Sequence, residues 1–258
     1  MRIALPLSIS KTQYFVNQAY VHYLEDNSMQ PFPVPLNMDV NVVAGQYDGL
    51  LLTGGIDIDP IYYGEDNQTS MNTDPVKDDF ERRLFHAFRE QGKPVFGICR
   101  GMQLIAREYM LHMSLETTDY LEFMQNVRSH NQVGDQGLDR GNFQHFVNYI
   151  ERDLYGSRKK KVDRMPVNSM HHQCLVAEKV NKELLFAMGF RIAAWTKRGI
   201  AQPKDGPEMI VVEALSIANW GGPILAVQWH PEELQDRDLI SNFFLGTVTE
   251  DAMESEHI

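Results

Sequence analysis

The 258-residue chain is acidic, with 24 Lys and Arg against 35 Asp and Glu for a formal net charge of -11, and 43% of it is hydrophobic, enough for a substantial core. That balance repels phosphate backbones, and the one basic run, Arg158-Lys159-Lys160-Lys161, reads as a solvated loop, so nucleic-acid binding is not expected. No stretch approaches the roughly 20 apolar residues that span a bilayer, the start from Met1 to Ser10 turns polar too soon for a secretion leader, and two cysteines are too few for a disulfide framework; the expectation is a cytoplasmic globular protein with no membrane partner.

In chain order, apolar runs alternate with helical patterns, the mark of an α/β domain with a central, mainly parallel sheet flanked by helices. Arg2 to Leu7 reads as a first strand, Thr12 to Asp26 as a helix, and Pro31 to Pro35 as an extended segment, because repeated proline forbids helix. The strand from Tyr47 to Leu52 runs into Thr53-Gly54-Gly55, a turn with unusual backbone freedom. Asp74 has the chemistry of an N-cap with Pro75 at the first helical position, and Val76, Phe80, Leu84 and Phe88 recur down one face of a helix that ends near Gly92.

Pro94 to Ile98 is a short buried strand that enters Cys99 directly, and Arg100 to about His112 has helix-forming composition. Leu115 to Asn142 is polar with weak periodicity, so loops or short irregular helices are expected there. Later strands are predicted at Gln144 to Tyr149, Phe190 to Thr196, Glu208 to Ala214 and Ile224 to Trp229, and a closing helix from Asp236 to about Thr247. Neither a repeat nor a linker interrupts the chain, which is expected to form one domain over residues 1–258 with a frayed tail at 250–258.

The central chemical signal is Gly97-Ile98-Cys99-Arg100-Gly101, a G-x-C-x-G frame between an apolar strand and a helix. This is the thiol counterpart of a nucleophile elbow, in which a sharp strand-to-helix turn exposes a strained residue above a helix N-terminus, where the dipole favours thiolate. A second element, Gln228-Trp229-His230-Pro231-Glu232, ends a strand on a histidine with a carboxylate two residues on, so His230 is the candidate general base and Glu232 the group that orients its ring. Glycines after a strand, at Gly54 and Gly55, could let backbone N–H groups approach a substrate carbonyl as an oxyanion hole. Metal binding is not expected: neither cysteine has paired-ligand spacing, and the side chains of adjacent His171 and His172 diverge.

Jointly the chain resembles the class I glutamine amidotransferase superfamily, and within it the γ-glutamyl-γ-aminobutyrate hydrolase-like branch. The resemblance is carried by Leu52-Thr53-Gly54-Gly55 with Asp59-Pro60 and Tyr63-Gly64-Glu65, by Asp74-Pro75 with Asp78 and Glu81, and by Gly92 to Gln103 around Cys99. It continues in Val167-Asn168-Ser169-Met170-His171-His172-Gln173 and Val227 to Glu232. It implies a three-layer, flavodoxin-like α/β sandwich and a catalytic set of Cys99, His230 and Glu232. It further implies an oxyanion hole from the Gly55 and Arg100 N–H groups, and substrate contacts from Gly54, Gln103, Asn168, Ser169, His171, His172 and Gln173, with no cofactor.

The implied activity is hydrolysis of a γ-glutamyl amide or glutamine. A homodimer is compatible with the resemblance, and so is a synthetase or amidoligase that takes ammonia from a glutaminase subunit. A binding protein that keeps the fold without catalysis is the third reading. The chain departs from the family between Met110 and Glu116, where a Gly-Gly-Thr-Leu stretch usually follows the nucleophile helix and no glycine stands here.

Overall fold

The computed structural model describes the chain apart from residues 65, 68–71, 114–120, 125–126, 201, 203, 205, 219 and 255–258. Glu65, residues 114–116 of the departure at 110–116 and the last four tail residues therefore lie outside the described residues. In chain order the elements are β1 (Arg2–Pro6), β2 (Ser8–Ser10), β3 (Gln13–Phe15), α1 (Gln18–Glu25), β4 (Gln30–Val34), α2 (Val40–Gln46), β5 (Gly49–Leu52), α3 (Pro75–Glu90), β6 (Val95–Ile98) and α4 (Arg100–His112). There follow β7 (Leu121–Met124), α5 (Gln132–Gln136), β8 (His145–Ile150), α6 (Glu151–Tyr155), β9 (Val162–Val167), β10 (Cys174–Glu178), α7 (Lys182–Ala187), β11 (Phe190–Thr196), β12 (Met209–Ile217), β13 (Ile224–Val227), α8 (Pro231–Leu234) and α9 (Arg237–Glu254).

One mixed sheet organises the chain, in the order β4-β1-β5-β6-β13-β12-β11-β8-β9, with β10 beside β12 and carrying β7. The strands from β4 to β13 run parallel, and β12, β11, β8 and β9 continue antiparallel. Because side chains alternate across a strand, each parallel strand feeds two cores. Ala4, Leu50, Leu52 and Val95 pack with α2, α3 and α4 on one face, whereas Ile3, Leu5, Leu51, Phe96 and Ile98 pack with α1 and α9 on the other. Burial on both faces is the reason these strands read as unbroken apolar runs.

Local chemistry accounts for the element ends. Asp74 Oδ1 accepts from the Val76 and Lys77 N–H groups, and Pro75 opens α3. Phe80, Leu84 and Phe88 form the buried face, but Val76 is 66% exposed and Lys77 is buried in its stead. The helix expected over Thr12 to Asp26 starts only at Gln18, where Asn17 caps it, because the aromatic pair Tyr14-Phe15 joins β3 to β2 as a hairpin. Within 115–142 the described residues include a strand, β7, which the sequence's weak periodicity did not indicate. Pro31 and Pro33 occupy the edge strand β4 on alternate positions, so their missing donors face outward and the ladder to β1 survives.

The consequence for function is positional. Leu52 pairs with Gly97, and Ile98 with Val227, so β5, β6 and β13 are adjacent parallel strands that end level at one edge of the sheet. Ligands of open α/β sheets bind outside such carboxyl ends. The helix after β6 turns back so tightly that a Cβ on Gly101 would collide with the Leu52 carbonyl oxygen. Gly101→Ala is therefore expected to lower stability by about 1–3 kcal/mol through overpacking, read as a lower urea midpoint at unchanged slope.

Candidate active site

Cys99 is the residue between β6 and α4, held at φ 53° and ψ -105°, a conformation that non-glycine residues rarely adopt. Its N–H donates to the Val227 carbonyl at 2.7 Å, which ties the turn to β13, and the residue is 6% exposed. Strain of this kind persists only where the surroundings over-determine it. Here they do so through charge: the guanidinium of Arg100, the next residue, is buried against Asp78 and Glu81 of α3. Lys77 Nζ adds a 2.6 Å pair to Glu81. Burial pushes the Glu81 carboxyl up, yet Arg100 and Lys77 outweigh it and hold the group below its ordinary range.

His230 stands three residues beyond β13, and Asn168 fixes its backbone on both sides: the His230 N–H donates to Asn168 Oδ1 at 2.8 Å, and Asn168 Nδ2 donates to the His230 carbonyl at 3.0 Å. Its ring Nδ1 lies 2.6 Å from Glu232 Oε1, and Cys99 lines the same cavity as the ring. Burial alone would lower the imidazole pKa, but the Glu232 and Cys99 charges prevail and raise it to about 10. The ring is thus held as an imidazolium, with Glu232 behind it and sulfur in front.

Gly54 and Gly55 follow β5 on the other side of Cys99. A Cβ at Gly54 would come within 2.7 Å of both His230 Cε1 and the Tyr20 hydroxyl, and at Gly55 it would touch the Arg100 side chain at 3.4 Å. The glycines are what lets this loop lie against the elbow. Gly55 and Arg100 are thereby neighbours, and the Arg100 N–H opens α4, where helix N-termini leave donors without intrahelical partners.

Tyr20 of α1 went unnoticed in the sequence, where it reads as one more apolar position of a helix. Its hydroxyl accepts from the Gly54 N–H at 3.0 Å and lies 3.4 Å from His230 Nδ1, so a single buried group spans the glycine loop and the histidine. Only its helical spacing, which turns it inward, could have singled it out.

A cavity of about 380 Å³ opens over these groups, lined by Gly54, Gly55, Cys99, Tyr20 and His230 and walled by Phe15, Ile56, Arg140 and Met170. A larger hollow of about 790 Å³ lies between Tyr149, Tyr155 and Phe243 and contains none of them. Of the residues for which substrate contact was expected, Gly54 lines the cavity. The others sit around it. Asn168 clamps His230, Gln103 Nε2 donates to the Gln173 carbonyl at 3.0 Å, and Ser169 Oγ donates to the His130 carbonyl at 2.5 Å. His171 and His172 do diverge: the first turns inward to His130, and the second reaches Asp57 Oδ2 at 2.8 Å, beside the glycine loop. Cys174 is fully buried on β10, and burial drives its thiol pKa well up, so it is an inert core residue.

Residues 7–232 match the model of the Peptidase C26 family. The chain is 28% identical over 245 residues to the glutamine amidotransferase-like protein YvdE of Lactococcus lactis subsp. lactis, covering 91% of this chain and 89% of that one. It is 30% identical over 207 residues to the gamma-glutamyl-gamma-aminobutyrate hydrolase of Escherichia coli O157:H7, covering 78% and 71%. Among solved structures, the glutaminase domain of Trypanosoma brucei CTPS with bound acivicin superposes with a TM-score of 0.57 at 15% identity, over 96% of this chain and 94% of that one, a likeness of fold.

Two outcomes follow from the electrostatics. Glu81→Ala leaves Lys77 a buried cation without its ion-pair partner and Arg100 with Asp78 alone, and is expected to cost about 3–5 kcal/mol in urea unfolding. His230 titrates higher in the folded chain than its ordinary 6.5, so its contribution to stability is complete below about pH 6.5 and disappears as pH rises through about 10. The stability difference between wild type and His230→Gln, followed by denaturant unfolding across that range, is expected to narrow steadily as pH rises.

Proposed function

The chain belongs to the peptidase C26 family, and from that premise we propose that it is a cysteine-dependent hydrolase of γ-glutamyl amide bonds. The observation that supports this reading best is the convergence, at the ends of neighbouring parallel strands, of a strained Cys99 and an imidazolium oriented by Glu232. The E. coli relative named as a gamma-glutamyl-gamma-aminobutyrate hydrolase supports the substrate class.

In the proposed reaction the Cys99 thiolate attacks the δ-carbonyl carbon of the γ-glutamyl amide, and the carbonyl electron pair moves to oxygen. The N–H groups of Gly55 and Arg100 stabilise that oxyanion. Collapse of the tetrahedral adduct breaks the C–N bond, and the departing amine takes the proton of the His230 imidazolium. A γ-glutamyl thioester remains. The neutral imidazole then draws a proton from water, the hydroxide attacks the thioester, and collapse releases glutamate and restores the thiolate facing an imidazolium. Glu232 keeps the ring in register throughout, and Tyr20 and Asn168 hold the glycine loop and the histidine in place.

This reading expects glutamate release from γ-glutamyl amides by the purified chain alone. Activity confined to glutamine and dependent on an added synthetase would instead favour an ammonia-supplying subunit. Cys99→Ala is expected to lower kcat by about four to six orders of magnitude with the fold intact by circular dichroism, and Cys174→Ala to leave it unchanged. Asn168→Ala, which removes both hydrogen bonds to the His230 backbone, is expected to lower kcat on the order of a hundred-fold by letting His230 drift, with KM little altered. Retention of full turnover by Cys99→Ala would end the proposal.

A further inference from the structure

Away from the cleft, the antiparallel half of the sheet buries a polar cluster that the reaction does not use: His130 ahead of α5, His145 at the start of β8, His171 after β9, and Glu213 in β12. Each ring is oriented by a hydrogen bond on its outer nitrogen. His130 Nε2 faces the Arg198 carbonyl at 3.0 Å, and His171 Nδ1 faces the Gln173 carbonyl at 2.8 Å. His145 Nδ1 faces Gln144 Oε1 at 3.0 Å, an amide whose orientation is set because its Nε2 donates to the Ser129 carbonyl. Carbonyl oxygens only accept, so each outer nitrogen carries a proton, and in a neutral ring the inner nitrogen presents a lone pair.

Those inner atoms converge. His145 Nε2 is 2.8 Å and His130 Nδ1 3.7 Å from Glu213 Oε1, and His130 Nδ1 is 3.3 Å from His171 Nε2. Ser169 Oγ approaches His130 Nδ1 at 3.5 Å, but its proton is already donated to the His130 carbonyl. Gathered in a dry interior, these ring nitrogens and the carboxylate oxygen need positive charge among them, either a proton on a ring or a metal cation. Adjacent ligands of a tetrahedral zinc with bonds of about 2.0–2.1 Å stand roughly 3.3 Å apart; the three pairs above lie between 2.8 and 3.7 Å, and the ligand atoms of His130, His145 and Glu213 all lie within 4.8 Å of one another.

We infer that His130 Nδ1, His145 Nε2 and Glu213 Oε1 bind a structural zinc ion, with His171 Nε2, 3.3 Å from His130 Nδ1, closing the site as the fourth ligand. The outward N–H to carbonyl bonds are the outer contacts that fix metal-bound imidazoles. Four protein ligands leave no open position for chemistry, and the site cross-links β8 and β12 to the segment that carries Asn168, the clamp on His230. The spacing of these residues along the chain does not announce the site; the antiparallel half of the sheet assembles it.

The test uses the full chain purified without a metal-binding tag. Elemental analysis is expected to find about one zinc per chain. Dialysis against chelator should lower the thermal midpoint, and added zinc should restore it. Cobalt(II) added to the stripped protein should give the intense visible bands of tetrahedral coordination. Those bands should be lost in Glu213→Gln and His145→Gln and kept in His172→Gln, whose ring turns away to Asp57. Should the two ligand variants not fold, the wild-type cobalt spectrum and zinc-dependent midpoint decide alone. Wild-type protein that is metal-free as purified, and that gains neither stability from zinc nor bands from cobalt, would mean that shared protons hold the cluster, and the inference would be wrong.

Discussion

The site depends on one constraint: β6 and β13 are hydrogen-bonded, parallel and level at their carboxyl ends. A strand pair of this kind places whatever follows Ile98 beside whatever follows Val227, however far apart they lie in the chain. The turn after β6 carries the sulfur, and the extended step after β13 carries the imidazole. The Cys99 N–H to Val227 bond makes the connection explicit, since one backbone contact joins the nucleophile's residue to the histidine's strand. β5 on the far side of β6 then delivers the glycine loop to the same edge.

Around that frame the protein invests buried polar groups, each held by a named partner, where a simpler fold would use leucine. The Lys77, Asp78, Glu81 and Arg100 lattice lies beneath the elbow, and opposite charges in low dielectric hold it firmly only while all four are present. Tyr20 joins the glycine loop to the histidine, and Asn168 locks the histidine backbone. The imidazolium is stable in a dry site chiefly because the Glu232 carboxylate stands 2.6 Å from its Nδ1. Preorganisation of this kind means that little has to move when charge develops on a substrate oxygen.

Much of this was legible in the sequence wherever structure follows from local chemistry. The G-x-C-x-G frame, the Asp74-Pro75 helix start and the strand over Phe190–Thr196 are short-range patterns, and each stands where expected. The hairpin at Gln13–Phe15 was hidden because aromatic residues at helical spacing also suit strands. β7 and β10 were missed because their stability comes from pairing with each other and with β12. The roles around the cleft were harder still: Asn168 and His171 of one motif and Gln103 of another have residue types that suggest ligand contact, and their side chains bond to backbone, an arrangement that only tertiary placement decides.

The central claim is that the sulfur of residue 99 becomes bonded to the γ-glutamyl group during turnover. Rapid acid quench of the wild-type enzyme in steady state with a γ-glutamyl anilide, followed by peptide mass spectrometry, reads that bond directly. The account predicts that one glutamyl group accumulates on the peptide containing Cys99, is absent from the peptide containing Cys174, and decays when substrate is exhausted. Product formation with no such adduct at any quench time, or with the adduct on another residue, would contradict it.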